Sequence, residues 1–170
     1  MECQLSTLSQ IATYLKANSL LLSTAESCTA GQMIALLASV PGAGMLLESG
    51  YVVYSPEAKQ RILHVNPHTI QTKGLTSEEV ALEMARGALD GGPANVAIAT
   101  TGVAGPDPMD GIEPGTVCIA WIFQGEGRSS SFSQTEHFVG ERLDVQIAAS
   151  LHALTLIPHF HGKALASESS

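Results

Sequence analysis

The sequence predicts an α/β fold, a three-layer α/β/α sandwich in which helices cover both faces of a mixed central sheet. Segments with helical apolar spacing alternate with short apolar runs typical of strands, and no internal repeat or linker divides the 170 residues. Hydrophobic residues make up 45% of the chain and charged residues 14%, enough apolar material for one core. We predict a single domain over residues 1–161 and a disordered tail over residues 162–170.

The first three elements are a helix, a strand and a second helix. Apolar residues recur at helical spacing over residues 5–18, which predicts an amphipathic helix. The mostly apolar run 20–24 predicts a buried strand. Residues 29–40 are apolar on most helical faces, so we predict a helix that packs between layers and that Pro41 ends.

A second strand and a short helix follow. The apolar and aromatic run 51–54 predicts the strand. Directly after it, Ser55 and Pro56 form a favourable pair of N-cap and first helical residue. They predict a short helix over residues 56–63.

The rest of the chain adds two helices and three strands. Thr76 and Glu79 have the spacing of a capping box and predict a helix that ends at the Gly-Gly-Pro of residues 91–93. Three strands are predicted next, over residues 96–100, 116–123 and 129–138, the last at the sheet edge. Helical apolar spacing predicts a final helix over residues 141–156.

Charge and composition argue against several classes of function. Eight Lys and Arg stand against sixteen Asp and Glu, a net charge of -8, and no basic run gathers the cations, which argues against a nucleic-acid partner. Three cysteines without a C-x-x-C pair predict neither a disulfide framework nor a zinc site. We see no signal segment and no apolar run long enough for a membrane span, and expect a cytoplasmic protein without membrane contact.

The loop after the first predicted strand carries unusual side chains, and ligands of open α/β sheets collect at such loops. It contains the run Thr-Ala-Glu-Ser-Cys-Thr-Ala-Gly at residues 24–31. Ser27 or Thr29 could present a hydroxyl and the next backbone N–H groups to a ligand, or could simply cap the following helix. Cys28 is either a thiolate favoured by the helix start or a small buried residue.

The loop after the third predicted strand is the second candidate. Over residues 100–107, Thr101 supplies a hydroxyl, while Gly102 and Gly105 permit close approach of the backbone to a ligand. A tight turn is the alternative explanation for these glycines. Together the two loops could form two walls of one small-molecule pocket.

Two cations lie at helix starts. Lys59 falls near the end of the first turn of the helix that Ser55 caps, where the helix dipole disfavours a cation and lowers the lysine pKa. A neutral lysine can act as general base beside a hydroxyl nucleophile, whereas a solvated surface lysine is the alternative. Arg142 opens the last helix, where it could hold an anionic ligand or pair with Glu141 or Asp144.

Five motifs, taken together and in order, resemble the CinA C-terminal domain family. The resemblance runs from about residue 5 to residue 158 of this chain. The motifs are TAESCTAG at 24–31, GYVVYSPEAK at 50–59, TGVAGPD at 101–107, PGTV at 114–117 and GER at 140–142. Their shared order makes the match more specific than any single motif.

The resemblance implies an amidohydrolase that converts nicotinamide mononucleotide and water to nicotinate mononucleotide and ammonia without a metal or redox cofactor. Among relatives this chain resembles the stand-alone form. Separately from the resemblance, a short compact domain with apolar helices could form a homo-oligomer. Members are thought to use a serine nucleophile assisted by a lysine. The family's lysine position matches Lys59, its tyrosine Tyr54 and the serine of its first motif Ser27, and these three are the expected catalytic residues. Those expected at the phosphorylated ligand are Thr29, Gly31, Gly44, Thr101, Gly102, Gly105 and Arg142.

One departure from the family bears on activity. Relatives usually carry Gly-Ser-Ser after the second helix, and its second serine is taken as the nucleophile, whereas this chain has Gly42-Ala43-Gly44. The glycine loop also has Pro108-Met109 where relatives usually have two glycines. Gly44 cannot attack a carbonyl, so we expect weak or absent hydrolysis unless another hydroxyl substitutes.

Three readings follow from this departure. The chain is a deamidase that uses another hydroxyl, a nucleotide-binding or regulatory module without hydrolysis, or a hydrolase of a changed substrate. For the first reading Ser27 is the best substitute, ahead of Ser49 and Thr101.

Overall fold

The computed structural model describes residues 2–125 and 127–168. Its strands are β1 (Leu22–Glu26), β2 (Leu47–Val52), β3 (Val96–Gly102), β4 (Thr116–Gly125) and β5 (Arg128–His137). They form one sheet in the order β2-β1-β3-β4-β5. β1 runs parallel to β2 and β3, and β4 is antiparallel to β3 and β5. The predicted mixed sheet is confirmed.

Helices cover both faces of the sheet. They are α1 (Glu2–Ala17), α2 (Gln32–Ala38), α3 (Pro56–Leu63), α4 (Pro67–Lys73), α5 (Glu78–Leu89), α6 (Arg142–Thr155) and α7 (Ile157–Glu168). α1, α2, α6 and α7 enclose a core with large sheet side chains such as Ile98 and Trp121. α3, α4 and α5 pack on the other face, against small residues such as Ala97 and Ala99. The predicted three-layer sandwich is confirmed.

The parallel strands bring two loops together. β1 and β3 lie side by side with Glu26 opposite Thr100, so the carboxyl ends of the two strands are adjacent. The turn after β1 therefore lies beside the loop after β3, as ligand-binding loops do in open α/β sheets. From the carboxyl end of β1 the chain returns through α2 and a 3₁₀ turn, Ala43–Leu46. β2 then begins beside the amino end of β1.

Several predicted boundaries move. α2 begins only after Gly31, whose φ of 91° is left-handed, so neither Ser27 nor Thr29 caps this helix. Ser77, rather than Thr76, caps α5 and accepts a hydrogen bond from the backbone N–H of Val80 at 3.3 Å. β2 begins four residues earlier than predicted, because an edge strand with one exposed face tolerates polar residues.

Two helices were missed from the sequence. Residues 162–168, expected to be disordered, form the second half of α7, and residues 169–170 lie outside the described part of the chain. The expectation was wrong because Phe160 and Ala164, one turn apart, both reach the core, where Ala164 is 2% exposed. α4 begins at Pro67 behind an Asn66 cap. None of the helices in the described residues is long and apolar enough to cross a membrane.

Candidate functional site

A cleft of about 360 Å³ opens at the carboxyl ends of β1 and β3. The turn after β1, the segment after β2, the loop after β3 and the start of α6 form its walls. Six of the residues expected at the site line it: Ser27, Tyr54, Thr101, Gly102, Gly105 and Arg142. Its size is within the range of ordinary small-molecule sites.

Lys59 lies beneath this cleft and contacts Ser27. The Lys59 side chain has no exposed surface. Its Nζ donates hydrogen bonds to Ser27 Oγ at 2.9 Å and to the carbonyl oxygens of Val53 and Tyr54, both at 2.8 Å. An ammonium uses all three N–H groups in this arrangement. A neutral amine would keep the two carbonyl contacts and direct its lone pair at the Ser27 hydroxyl.

Burial lowers the pKa of the Lys59 amine, which favours its use as a general base. Loss of contact with water lowers the pKa of Lys59 from 10.5 to about 8, against a smaller opposing effect of Cys28. The direction is the one predicted from the helix start, but the cause is desolvation by burial. A lysine of this pKa is partly neutral near neutral pH and can take a proton from Ser27.

The turn that carries Ser27 is organised around Glu26, which has no exposed surface. The hydroxyls of Thr24 and Thr29 donate to the Glu26 carboxylate at 3.2 and 2.7 Å. The backbone N–H groups of Gly31, Met33 and Ile34 donate to it at 2.9, 3.2 and 3.2 Å. An internal carboxylate therefore occupies the start of α2, where the sequence suggested a ligand.

Thr29 and Gly31 consequently have different roles from those expected. Thr29 has no exposed surface, and its hydroxyl lies between Glu26 and the Thr100 hydroxyl, 2.7 Å from each. The Gly31 N–H donates to Glu26, and its left-handed φ fits glycine. Neither residue lines the cleft. The sequence signal for Glu26, missed as a site residue, was a carboxylate ending an apolar strand before a helix.

Gly44 lies near the amino ends of the parallel strands, whereas the cleft lies at their carboxyl ends. It belongs to the 3₁₀ turn before β2, whereas Lys59 contacts the carbonyl groups that follow β2. The six residues of β2 between them span roughly 20 Å. Within one chain Gly44, which was expected at the ligand, therefore does not line the cleft, because the crossover through α2 returns the backbone to the amino ends of the parallel strands.

The other two candidate hydroxyls do not contact Lys59. Ser49 lies within β2, and its hydroxyl is 2.9 Å from that of Ser23 in β1. Thr101 lines the cleft, but its hydroxyl donates to the Leu75 carbonyl at 2.9 Å. Ser27 is the one of the three candidates whose hydroxyl contacts the buried amine.

The loop after β3 is tied to the start of α6 by Arg142. Its Nη1 donates to the Gly105 carbonyl oxygen at 2.7 Å. Glu141 and Asp144, the ion-pair partners considered from the sequence, instead form a capping box at the start of α6. Gly102 is required for close packing, because a Cβ there would collide with the Thr116 carbonyl oxygen. The Arg142 guanidinium places a positive charge in the wall of the cleft.

Of the two roles considered for Cys28 from the sequence, the structure shows the small buried residue and not the reactive thiolate. It is 5% exposed, and burial raises the pKa of its thiol to about 12. Its carbonyl oxygen accepts a hydrogen bond from Gln146 Nε2 at 2.9 Å, which fixes the turn against α6. Across the residues that the structure describes, no three His, Cys, Asp or Glu side chains are grouped so as to hold a metal ion.

Comparison with known sequences shows close relatives. The Escherichia coli K12 protein named nicotinamide-nucleotide amidohydrolase PncC is 36% identical over 145 residues, 85% of this chain and 87% of its own length. A CinA-like protein of Chlorobium phaeobacteroides is 41% identical over 139 residues, 80% of this chain. This chain spans about a third of the length of that longer relative, 33% of which is matched.

Solved structures give the same picture. The competence damage-inducible protein A of Klebsiella pneumoniae superposes with a TM-score of 0.84 at 33% identity, over 91% of this chain and 94% of its own. The competence/damage inducible protein CihA of Agrobacterium tumefaciens gives 0.83 at 30% identity, over 93% and 95%. The model of the CinA C-terminal domain matches residues 5–160. The chain therefore belongs to the CinA C-terminal domain family.

Proposed function

We propose that this protein is an amidohydrolase that converts nicotinamide mononucleotide and water to nicotinate mononucleotide and ammonia. The observation that carries the proposal is the contact of 2.9 Å between Lys59 Nζ and Ser27 Oγ at the cleft. A hydroxyl beside a buried amine of lowered pKa is an activated nucleophile. The printed name of the E. coli relative supports the substrate class.

Ser27 and Lys59 supply the proton transfers that this reaction needs. Lys59 takes the hydroxyl proton while Ser27 Oγ bonds to the carboxamide carbon. The tetrahedral intermediate then breaks its C–N bond, and Lys59 returns the proton so that ammonia leaves. Water attacks the acyl-enzyme with Lys59 as base, and nicotinate mononucleotide departs as Ser27 regains its hydrogen.

The turn also offers a donor for the developing oxyanion. Directly after Ser27, Cys28 lines the cleft, and its backbone N–H donates to no protein oxygen among the described residues. N–H groups immediately after a nucleophile are well placed to stabilise a tetrahedral oxyanion. Removal of one such donor typically slows catalysis by about 100- to 1,000-fold.

The remaining cleft residues suit a mononucleotide. Arg142 provides a guanidinium for the 5'-phosphate, for which charge-assisted hydrogen bonds are the strongest contacts. Asp107 lies in the same wall, where a carboxylate can accept hydrogen bonds from ribose hydroxyls. Val103 and Ala104 are buried apolar residues of the lining and offer a surface for the pyridine ring.

Ammonia release tests the proposal and separates the three readings. We expect release from nicotinamide mononucleotide by the unchanged protein, and its loss in Ser27→Ala and Lys59→Met. Ser49→Ala is the matched control, because Ser49 is hydrogen-bonded within the sheet and away from the cleft. Retained turnover in Ser27→Ala would contradict the proposed nucleophile.

Calorimetry resolves the case in which no ammonia appears. Binding of nicotinamide mononucleotide or nicotinate mononucleotide without hydrolysis would support a binding module. Absence of both binding and hydrolysis would support a hydrolase of a changed substrate.

A further inference from the structure

Glu26 connects the structural elements around Ser27. Its two carboxylate oxygens accept five hydrogen bonds, from β1, from the turn of residues 27–31 and from the first residues of α2. All five partners donate, which is the pattern that suits an ionised carboxylate. The network is internal, since Glu26 has no exposed surface and does not line the cleft.

Thr29 extends this network to the neighbouring strand. Because Glu26 only accepts, the single hydroxyl hydrogen of Thr29 is donated to Glu26, and Thr100, two residues before the end of β3, must donate to Thr29. The Ser27 N–H also donates to the Thr100 carbonyl at 3.0 Å. Side-chain and backbone contacts therefore hold the turn against β3.

We infer that Glu26 is a positioning residue that holds the turn of residues 27–31 so that Ser27 Oγ stays in contact with Lys59 Nζ. Ser27 follows Glu26 directly, and its carbonyl accepts from the Ala30 N–H at 3.2 Å, so the path of this turn decides where the hydroxyl lies. The inference rests on the Ser27–Lys59 pair of the proposed function. It also assigns the start of α2 to Glu26, and not to the phosphate of the ligand.

Glu26→Gln is the informative substitution because it keeps the shape and removes one acceptor. An amide nitrogen cannot accept hydrogen bonds, so whichever way the amide turns, at least one backbone N–H of α2 or the turn loses its partner. Thr29→Val makes the complementary change, and Thr29→Ser restores the hydroxyl. These variants perturb the turn while Lys59 and Arg142 keep their own contacts.

The test combines steady-state kinetics with labelling of Ser27 by a fluorophosphonate. In the labelling step the Ser27 Oγ–P bond forms, fluoride leaves and Lys59 takes the hydroxyl proton. We expect Glu26→Gln and Thr29→Val to lower both kcat and the labelling rate by about 10- to 100-fold, as small displacements of a nucleophile do. KM should stay within about twofold, and the pH midpoint of labelling should stay near that of the unchanged protein.

Asn95→Ala is the matched control for lost stability. Asn95 accepts from the Leu21 N–H at 2.8 Å and donates to the Ser19 carbonyl at 2.9 Å, so it holds the other end of β1. At an equal fall in melting temperature, Asn95→Ala should keep its labelling rate. Thr29→Ser should regain most of the rate that Thr29→Val loses, which tests the inference even if Glu26→Gln does not fold.

Several results would overturn the inference. They are unchanged labelling in folded Glu26→Gln or Thr29→Val, a rise in KM that matches the fall in kcat, and an equal loss in Asn95→Ala. A shifted pH midpoint would show that Glu26 acts on the Lys59 proton instead. Absence of labelling in the unchanged protein would overturn the inference together with the Ser27–Lys59 pair. Labelling without ammonia release would reject only the proposed substrate.

Discussion

Replacement of Lys59 by methionine should change the stability of the protein in a pH-dependent way. Methionine has a similar length but neither a charge nor a hydrogen-bond donor. The wild-type side chain is fully buried, and two of its three acceptors are backbone carbonyls. Lys59→Met therefore removes a buried titrating group together with its hydrogen bonds.

The sign of the effect follows from proton linkage. Burial lowers the pKa of Lys59 from 10.5 to about 8 in the folded protein, whereas the unfolded chain keeps the ordinary value. Below about pH 8 both states are protonated, so the folded protein carries the full penalty of a buried charge. Between about pH 8 and 10.5 the unfolded state binds more protons, so the unfolding free energy of the wild type rises with pH.

The size of the rise comes from the same shift. One pKa unit corresponds to about 1.4 kcal/mol. After a discount for screening by water in the adjacent cleft, we expect the free energy of unfolding of the wild type, relative to Lys59→Met, to rise by about 1 to 3 kcal/mol across the window. The hydrogen bonds and packing that Lys59→Met removes shift this difference by the same amount at every pH and do not affect its slope.

Urea unfolding at a series of pH values from about 7 to 10.5 measures this difference. Lys73→Met is the matched control, because Lys73 is 54% exposed and pairs with Glu79 at 2.9 Å. Its difference from the wild type should vary by less than about 0.5 kcal/mol. Parallel curves for the wild type and Lys59→Met over the whole range would refute the reasoning, since a charge without a burial penalty has no lowered pKa.

Four further outcomes are expected. If Lys59 is the base, kcat for ammonia release rises with pH around a midpoint near 8; a flat profile from about pH 6 to 9.5 would exclude this role. Gly44→Ser, whose new Cβ meets nothing within 4 Å, should leave ammonia release within about twofold because residue 44 is roughly 20 Å from the pair. A tenfold gain would instead show that residue 44 of a second copy reaches the cleft. Arg142→Ala should raise KM for nicotinamide mononucleotide about tenfold with little change in kcat; an equal effect on nicotinamide riboside, which lacks the phosphate, would contradict the phosphate contact. Gly87→Ala should lower the free energy of unfolding, measured by thermal unfolding, by about 1 to 3 kcal/mol, since its Cβ would collide with the backbone of α3; its control Gly162→Ala, whose Cβ meets nothing within 4 Å in α7, should instead raise it by about 0.5 to 1 kcal/mol.

The layered fold was predictable from local patterns. Apolar spacing of about 3.6 residues separated helices from strands, and the Ser55-Pro56 pair placed the start of α3. The alternation of these elements predicted two helical layers around a mixed sheet. α4 and α7 were missed because a short helix, and a helix with only a narrow apolar stripe, give a weak periodic signal.

The candidate site was only partly predictable. Ser27, Lys59 and the loop of Thr101 were identified from residue chemistry, and in the structure all three lie near the carboxyl ends of the parallel strands. Thr29 was misread because a hydroxyl in a turn can face either a ligand or an internal carboxylate. Gly44 was misread because its distance from Lys59 depends on the crossover through α2.

The sequence by itself determined the periodic pattern of the elements, the order of the motifs and the kinds of chemical group available. Tertiary structure alone decided which groups meet. Burial of Lys59, and with it the lowered pKa, depends on packing against segments distant in sequence. The same holds for the start of α2, since only the fold of the turn directs Glu26 into the N–H groups that a ligand would otherwise have met.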